Sequence, residues 1–288
     1  MGIWRSHQNS TSHSRWAWLI ALPLLLSGCT LFAPSAQRVE NVNLLLGNPS
    51  GAIADPDSAN NYLIVRPQYV LSYGRDRAIA NWASWQLTRS WLGNGERPPF
   101  QADRSLPEGW YVVTPNDYSG SGFDRGHLVP AADRNRSPED SAAVFLMTNI
   151  VPQARDNNQG PWNALETYCR QLVNQGKELY IIAGASGIGG VGERGPRTTI
   201  GRGRVTVPEV VWKIIVVLDQ PITSAEEIGA GDRVIAVILP NVEDIRENDW
   251  RQYRQSVDQI ERLTGYDFLS TLRDDVEESL EAQTDVQR

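Results

Sequence analysis

Short apolar stretches that suit β-strands recur along the chain between clusters of Gly, Pro, Asn and Asp. They are rich in Val, Ile, Trp and Tyr, and several are separated only by short turns. Short turns join antiparallel neighbours, whereas parallel strands need long crossover connections, so the pattern favours an antiparallel sheet. The predicted strands are Tyr62–Val65, Tyr69–Tyr73, Asn81–Leu87, Trp110–Thr114, Val144–Asn149, Glu178–Ala183, Val205–Leu218 and Arg233–Leu239.

Two segments have the periodicity of amphipathic helices instead. Apolar residues recur three and four positions apart over Trp162–Val173, directly after the dipeptide Gly160–Pro161, and Pro is favoured in a first helical turn. A second helix is predicted over Trp250–Leu263, ending before Gly265. Together with the strands, these helices indicate an α+β protein with one domain over residues 44–272.

Charge is distributed unevenly along the 288 residues, whose formal net charge is -7. Residues 273–288 hold many carboxylates and are predicted to form a solvated acidic tail, which leaves the body of the protein near neutral. The net charge excludes a histone-like binder of nucleic acid, but it does not exclude a local basic groove. The chain has 27 basic residues, and all but Lys177 and Lys213 are arginine, which can hold a phosphate through two hydrogen bonds at once.

Residues 1–28 have the pattern of a signal peptide. Arginines precede the apolar run Trp16–Leu26, which is too short for a membrane span of about 20 residues. The run ends in Leu26–Cys29, which resembles a bacterial lipobox with Cys29 as the lipidated first residue; ordinary secretion with Cys29 incidental is the alternative. Residues 29–43 then form a linker. We therefore expect an exported protein, periplasmic, membrane-anchored through Cys29, or secreted. Cys169, the remaining cysteine, is interpreted as a small buried apolar residue.

His127 is the histidine that bears on chemistry. The other two, His7 and His13, lie in the signal region, so the mature protein keeps a single imidazole. A lone histidine is often a packed residue, but this one lies in the polar turn Gly122–Pro130 rather than on an apolar face. A metal site built from several histidines or cysteines is excluded, which leaves a single general base as the active role.

Downstream of His127, polar residues recur at helical spacing. Asn158, Glu166 and Arg170 are eight and four positions apart, so they would project along one line of a helix that begins near Asn158. A purely structural interpretation is also open. In that case Asn158 caps the helix, and Glu166 pairs with Arg170 on its surface.

Several separated segments, in the same order, resemble the DNA/RNA non-specific endonucleases. The segments are Asp124–His127 (DRGH), Thr148–Gln153 (TNIVPQ) and Asn158–Glu166 (NQGPWNALE). Three further segments, Leu44–Ser50, Ser90–Asn94 and Asn163–Tyr180, are most similar to the cyanobacterial (Anabaena-type) branch. The resemblance covers about residues 44–272. It implies a ββα-metal finger with a central, mostly antiparallel sheet flanked by helices, and hydrolysis of phosphodiester bonds in DNA and RNA.

The resemblance also implies roles for the polar residues. His127 would be the general base for the attacking water, and Asn158 the sole protein ligand of one divalent ion, Mg or Mn, at the leaving 3′ oxygen. Glu166 would hold water molecules of that ion, and Asp124 would support the site. Arg97 would neutralise charge on phosphorus, with Arg104 as the alternative. The residues implied at the substrate are Arg125, Arg170 and Asn149, and Asn149 also resembles a support of the site geometry.

Other functions remain open at this point. The same site chemistry fits a phosphodiesterase or pyrophosphatase acting on small nucleotides. A non-catalytic nucleic-acid-binding lipoprotein is another alternative, although it would be expected to lose His127 or Asn158. Gly184–Gly189 looks like a dinucleotide-binding turn, but the glycines and proline that follow prevent the helix that such a turn requires. A dedicated protein inhibitor is a further candidate partner, because the family includes such a case.

The glycine-rich stretch Gly184–Arg204 contains four arginines. Arginines that contact phosphates position a nucleic acid without reading its sequence, so these side chains could form part of a surface that follows the backbone. A solvated loop explains them equally well.

Overall fold

The computed structural model describes residues 41–287. Over this range the backbone hydrogen bonds define thirteen strands and five helices. The strands are β1 (Tyr62–Val65), β2 (Val70–Gly74), β3 (Ile79–Leu87), β4 (Asp124–His127), β5 (Ile150–Gln153), β6 (Glu178–Ser186), β7 (Gly190–Gly192), β8 (Gly195–Arg197), β9 (Thr199–Ile200), β10 (Val205–Thr206), β11 (Val210–Leu218), β12 (Arg233–Pro240) and β13 (Arg254–Gln255). The helices are α1 (Pro138–Val144), α2 (Arg155–Asn157), α3 (Asn163–Asn174), α4 (Val257–Thr264) and α5 (Asp274–Ala282). The predicted α+β class is confirmed.

Seven of these strands form one antiparallel sheet in the order β1–β2–β3–β6–β11–β12–β13. Both faces of the sheet are buried, which explains why β11 is apolar at almost every position. Val211 and Ile215 of β11 pack in the layer that contains β4, β5, α1 and α3. Trp212 and Ile214 pack in the opposite layer, against residues 44–46, α4 and α5. The central antiparallel sheet flanked by helices is therefore as expected.

The polar motifs lie on a hairpin and the helical segment that follows it. Strands β4 and β5 pair antiparallel, with Asp124 opposite Gln153 and His127 opposite Ile150. The chain then continues through α2, a π-helical turn at Asn158–Trp162, and α3. This order of two strands and a helix is the ββα arrangement that the resemblance implied.

Five predicted strands are present with small shifts of their ends, but the other three were wrong in whole or in part. Residues 110–114 are irregular, and Trp110 packs its ring on Tyr62 at 5.1 Å between centroids instead of pairing its backbone. Residues 144–149 end α1 and form a 3₁₀ turn, so the strand begins only at Ile150. The long strand over residues 205–218 is interrupted before β11, where Pro208 has no amide hydrogen to donate.

The helix predictions need two corrections. The apolar stripe does form α3, but the helix does not run on from Asn158, since Gly160 has non-helical angles of φ -100° and ψ -115°. A β-carbon at Gly160 would lie 2.5 Å from the carbonyl oxygen of Arg246, so glycine allows this close packing. Residues 250–263 divide into a 3₁₀ turn (Trp250–Tyr253), β13 and α4, which ends at Gly265 with φ +73° as expected.

The glycine-rich stretch after β6 forms two small hairpins, β7–β8 and β9–β10. Residues 187–192 lead from β6 into β7 rather than into a helix. The dinucleotide-binding turn is therefore absent from this part of the described chain, as the sequence predicted. The remaining short 3₁₀ turns are Val42–Leu44, Arg89–Trp91, Pro115–Tyr118, Ala131–Asp133, Met147–Asn149 and Ala225–Glu227.

Both ends of the domain differ from the prediction. Residues 273–288 are not simply a solvated tail, because α5 buries Val276 and Leu280 in the core, and Asp285 forms an ion pair with Arg233 at 2.8 Å. At the other end Asn43 is already buried, so the ordered fold includes the last predicted linker residues. The predicted signal peptide and Cys29 lie outside the described residues. Among those described, no helix combines the length and apolar character needed to cross a membrane.

Leu280→Ala tests whether α5 belongs to the core. We expect the free energy of unfolding to fall by about 2–5 kcal/mol, because the substitution removes fully buried apolar contacts and leaves a cavity. Glu278→Ala, at an exposed position of the same helix, should change it by less than about 0.5 kcal/mol. Denaturant titration of both variants measures this difference. Equal, small effects would contradict the packing of α5.

Candidate active site

His127 lies at the end of β4 in an aromatic environment. Its ring centroid is 5.3 Å from that of Phe100 and 4.9 Å from that of Phe145. The Nε2 atom is buried and has no hydrogen-bond partner among the described residues. Burial, together with the positive charge of Arg97, lowers the pKa of His127 to about 3. The imidazole is therefore neutral near pH 7 and able to accept a proton.

Close packing fixes the hairpin that carries His127. A β-carbon at Gly126 would lie 2.7 Å from the β-carbon of Gln153 on the opposite strand, so only glycine fits there without a shift. Gln153 donates its amide to Asn157 Oδ1 at 2.6 Å, and Asn157 donates to the carbonyl of Pro240 at 2.6 Å. The hairpin, α2 and the end of β12 are thus joined by buried hydrogen bonds.

Asn158 is bound to the same hairpin through Asp124. The Nδ2 atom of Asn158 donates to Asp124 Oδ2 at 2.9 Å, and Gln159 Nε2 donates to the same oxygen at 2.9 Å. The other carboxylate oxygen of Asp124 lies 3.8 Å from Arg155 Nε. Within residues 41–287, no side-chain or backbone donor reaches Asn158 Oδ1. The side chain therefore presents a free carbonyl oxygen, an atom type that binds hard cations.

Glu166 lies on α3 beside a buried lysine that no sequence motif marks. Its Oε1 atom is 3.8 Å from Nζ of Lys213, whose side chain is 1% exposed, and that ammonium lies 3.9 Å from the ring centroid of Trp162. Burial raises the pKa of Glu166 to about 7, although Lys213 opposes the shift. The one available signal was Lys213 itself, because it interrupts the apolar stretch Val210–Leu218 and is one of two lysines.

Arg170 forms a different ion pair from the one considered at the sequence level. Its Nη1 atom donates to the buried carboxylate of Asp133 at 3.0 Å, so it does not pair with Glu166 on the helix surface. The cap suggested at the sequence level is also replaced by another contact. The side-chain amide of Asn158 donates to Asp124 and does not cap α3. The two contacts of the purely structural interpretation, the cap by Asn158 and the pair of Glu166 with Arg170, are therefore not present among the described residues.

The structure separates the two candidate arginines, Arg97 and Arg104. The guanidinium carbon of Arg97 lies 5.3 Å from the ring centroid of Phe145, which also contacts His127. Its charge lowers the pKa of both His127 and Glu166. Arg104 is exposed and, over the described range, makes no side-chain hydrogen bond or ion pair. The geometry therefore brings Arg97, rather than Arg104, to the polar residues of the hairpin.

Arg125 and Asn149 have different surroundings. Arg125 on β4 donates Nη2 to the carbonyl of Pro115 at 2.9 Å and lies 5.5 Å from the Phe100 ring centroid. Asn149 is fully buried; it donates to the carbonyls of Val129 and Val144 and accepts from Val129 N, all within 3.0 Å. Its side chain is buried and both of its polar atoms already have protein partners, which favours a supporting role over contact with the substrate. Its expected role as a support agrees with these contacts.

The arrangement combines a neutral proton acceptor at His127, the amide oxygen of Asn158, the mostly buried carboxylate of Glu166 and the exposed guanidinium group of Arg97. Guanidinium groups bind anionic oxygens, and the amide oxygen and carboxylate suit a hydrated cation. Such a set can activate a water molecule beside a bound anion. This chemistry is that of hydrolysis of a phosphate ester.

Comparisons with known proteins point to the same chemistry. Residues 47–275 match the model of a family described as DNA/RNA non-specific endonuclease. The chain is 50% identical over 279 residues to a nuclease of Nostoc sp., covering 92% of this chain and 96% of the relative. It is 27% identical over 275 residues to a nuclease of Serratia marcescens, covering 93% and 94%. Its fold is similar to a crystal structure of the EndoG/EndoGI complex, with a TM-score of 0.66, 22% identity and coverage of 80% and 91%.

Asn149→Ala tests the structural role of Asn149. We expect the free energy of unfolding to fall by about 2–4 kcal/mol, because two buried carbonyls and one buried amide lose their partner. Asn94→Ala, at an exposed position, is the control and should leave the free energy of unfolding nearly unchanged. Denaturant titration measures both. Unchanged stability of Asn149→Ala together with weaker substrate binding would instead support a role at the substrate.

Proposed function

The chain belongs to the DNA/RNA non-specific endonuclease family, and from the geometry of its site we propose that it hydrolyses phosphodiester bonds of DNA and RNA with His127 as general base. The observation that carries this proposal is the bond between Asp124 and Asn158, which joins the strand of His127 to a free amide oxygen. A base and a cation ligand then act on the same phosphate. Because the phosphate backbone carries no sequence information, cleavage would be independent of sequence.

His127 is suited to take a proton from water. The attacking oxygen bonds to phosphorus while its proton passes to the imidazole of His127. The bond from phosphorus to the 3′ oxygen breaks, and the 3′ oxygen takes a proton from solvent water. A pKa of about 3 makes a weak base in the free protein. A bound phosphodiester is an anion beside the imidazole, so it raises the pKa of His127 toward the range in which general bases are effective.

Asn158 is the proposed ligand of one divalent cation, Mg or Mn. The fit is supported by its Oδ1 atom, which has no donor within the described chain, while Asp124 holds the nitrogen of the same amide. A single neutral ligand suits Mg, which keeps several waters, and Glu166 is the proposed acceptor for those waters. When bound, such an ion supplies Lewis-acid polarisation of the scissile phosphate and positive charge beside the leaving 3′ oxygen.

Arg97 is the proposed partner of the charge that develops on phosphorus. It is exposed, it lies over Phe145 beside His127, and its charge acts on both His127 and Glu166. A guanidinium placed where negative charge increases lowers the barrier more than it strengthens ground-state binding. Arg125 and Arg170 are proposed to bind the adjoining phosphates.

Two further elements of the proposal concern location and partners. We propose that residues 1–28 are a lipoprotein-type signal peptide and that the mature protein acts outside the cytoplasm, supported by the apolar run and the lipobox-like Leu26–Cys29. The solved EndoG/EndoGI complex is a complex of inhibited EndoG. A dedicated inhibitor of this chain stays a prediction.

Digestion of supercoiled plasmid and of total RNA by residues 29–288 tests the function. We expect cleavage of both with Mg and none with EDTA, and His127→Ala should lose at least ~10²-fold in turnover while its circular dichroism is unchanged. Near-normal turnover of His127→Ala would refute the general base. Intact polymers together with hydrolysis of a small nucleotide ester would favour a phosphodiesterase. No cleavage of either would favour a binding protein.

Asn158→Ala tests the metal ligand. We expect the Kd for Mn, read from the electron paramagnetic resonance of free Mn, to rise at least ~10-fold, because the amide oxygen is lost. The Mn concentration that gives half-maximal cleavage should rise in parallel. Asn60→Ala, at an exposed asparagine outside the site, is the control. Identical Mn binding in the two variants would show that Asn158 is not the ligand.

A further inference from the structure

A cleft of about 760 Å³ lies outside the candidate active site. One wall is the segment Pro115–Ser121, and the other is the β9–β10 hairpin with the end of β8. None of the residues placed above in the catalytic or metal-binding set lines this cleft. Its walls therefore need a separate explanation.

The cleft is positively charged. Arg197, Arg202 and Arg204 line it, all three are exposed, and none forms an ion pair with an acidic residue of the described chain. The one carboxylate in the lining, Asp117, already accepts hydrogen bonds from Tyr111 Oη at 2.5 Å and from Thr114 N at 2.8 Å. Three guanidinium groups without an ion pair thus line the cleft against a single carboxylate, so the lining has a net positive charge.

One of the three arginines, Arg204, packs against an aromatic ring, and several small polar groups line the same walls. The guanidinium carbon of Arg204 lies 4.6 Å from the ring centroid of Tyr111. Ser119, Ser121 and Thr199 add hydroxyl groups to the walls. Guanidinium groups and hydroxyls bind phosphate oxygens, and a tyrosine in a basic groove offers a surface for bases or sugars.

The turn of the β9–β10 hairpin leaves the side chain of Arg202 exposed. Gly201, Arg202 and Gly203 have φ angles of +58°, +60° and +84°, a conformation that costs little for glycine but is strained for arginine. A β-carbon at Gly201 would lie 2.9 Å from the β-carbon of Asp117, so glycine lets the hairpin pack on the opposite wall. The turn is therefore packed in place, which argues against a freely solvated loop.

One wall of the cleft is hydrogen-bonded to the active-site hairpin β4–β5. The carbonyl of Pro115 accepts a hydrogen bond from Arg125 of β4, and the carbonyl of Gly122 accepts one from Glu193 N at 3.0 Å. Ser121 lies six positions before His127, which bounds their separation at about 20 Å. At about 3.4 Å per nucleotide along a duplex strand, this corresponds to roughly six nucleotides.

We propose that this cleft binds the sugar-phosphate backbone of the nucleic-acid strand, about six nucleotides or fewer from the bond that is cleaved. The proposal rests on the nuclease function proposed above and extends it to a second contact region that acts on long substrates. Phosphates recur along a strand, so several arginines can bind one chain where a mononucleotide could engage only one or two. The contacts involve no base edges, so they add affinity without sequence preference.

The test compares the triple variant Arg197→Gln, Arg202→Gln, Arg204→Gln with the wild type on a 30-nucleotide strand and on a dinucleotide. We expect KM for the 30-nucleotide strand to rise about tenfold or more, with the dinucleotide kinetics unchanged, because a dinucleotide has only the scissile phosphodiester and leaves the cleft empty. Anisotropy of the labelled 30-nucleotide strand in EDTA should show a weaker salt dependence, its slope smaller by about 0.7 for each phosphate that the variant no longer neutralises.

Two further variants control for charge and for folding. The control triple variant is Lys177→Gln, Arg262→Gln, Arg273→Gln. It removes the same charge elsewhere on the surface and should leave the KM for both substrates unchanged. Replacing the three cleft arginines by lysine should retain most of the binding, because lysine also neutralises phosphates. The proposal would be overturned if the lysine variant lost as much binding as the glutamine variant. It would also be overturned if the control triple variant lost as much binding as the glutamine variant.

The binding measurement separates this inference from the proposed function. If the wild type cleaved nothing but bound the 30-nucleotide strand through the three arginines, the nuclease proposal would fail and the cleft would stand. If the wild type cleaved both substrates and the glutamine variant matched it in KM and salt slope, the cleft proposal would fail alone.

Discussion

The carboxylate of Asp124 determines how the side-chain amide of Asn158 is oriented. A carboxylate can only accept hydrogen bonds, so it holds the nitrogen of the amide and turns the carbonyl oxygen away. With the amide reversed, two oxygens would face each other at hydrogen-bond distance. The cation site proposed at Asn158 therefore depends on a residue that need not touch the cation. The same carboxylate lies three residues before His127 on β4, so one short strand positions both the base and the ligand.

The other part of the site depends on charges buried against the sheet. Lys213 lies on the face of β11 that carries the hairpin, with Trp162 on one side and Glu166 at 3.8 Å. Trp162 also donates to the carbonyl of His127 at 3.3 Å, so this cluster connects α3 to the strand of the base. Burial brings the pKa of Glu166 to about 7, so its charge responds to small changes in the local field near neutral pH. A cation bound nearby would lower that pKa and favour the carboxylate that the proposed function requires.

Sequence patterns predicted the features that depend on local periodicity or on contiguous motifs. The central strands and α3 follow from their apolar spacing, and the DRGH motif located β4 and its histidine. Apolar spacing predicted a strand at Trp110, where the ring packs on Tyr62 and the backbone forms no strand pairing. The polar spacing predicted a continuous helix at Gly160, where the backbone is interrupted so that it can pack closely on Arg246. Lys213 was missed because its partners, Trp162 and Glu166, lie about fifty residues earlier in the chain. The acidic segment was misjudged because Val276 and Leu280, four positions apart, carry the burial signal, whereas net charge describes only the surface.

That surface also explains how a chain of net charge -7 can act on polyanions. Many carboxylates belong to α4 and α5, which cover one face of the sheet, and they include Asp258, Glu261, Glu277 and Glu278. The hairpin and the residues around the basic cleft pack on the opposite face. Since charges are screened over about 8–10 Å in physiological salt, a nucleic acid experiences the local field of the face that it approaches. In the proposed function, the acidic face would repel the strand and the arginines of the basic cleft would attract it. The acidic helix α5 completes the core and would also favour approach from the side of His127.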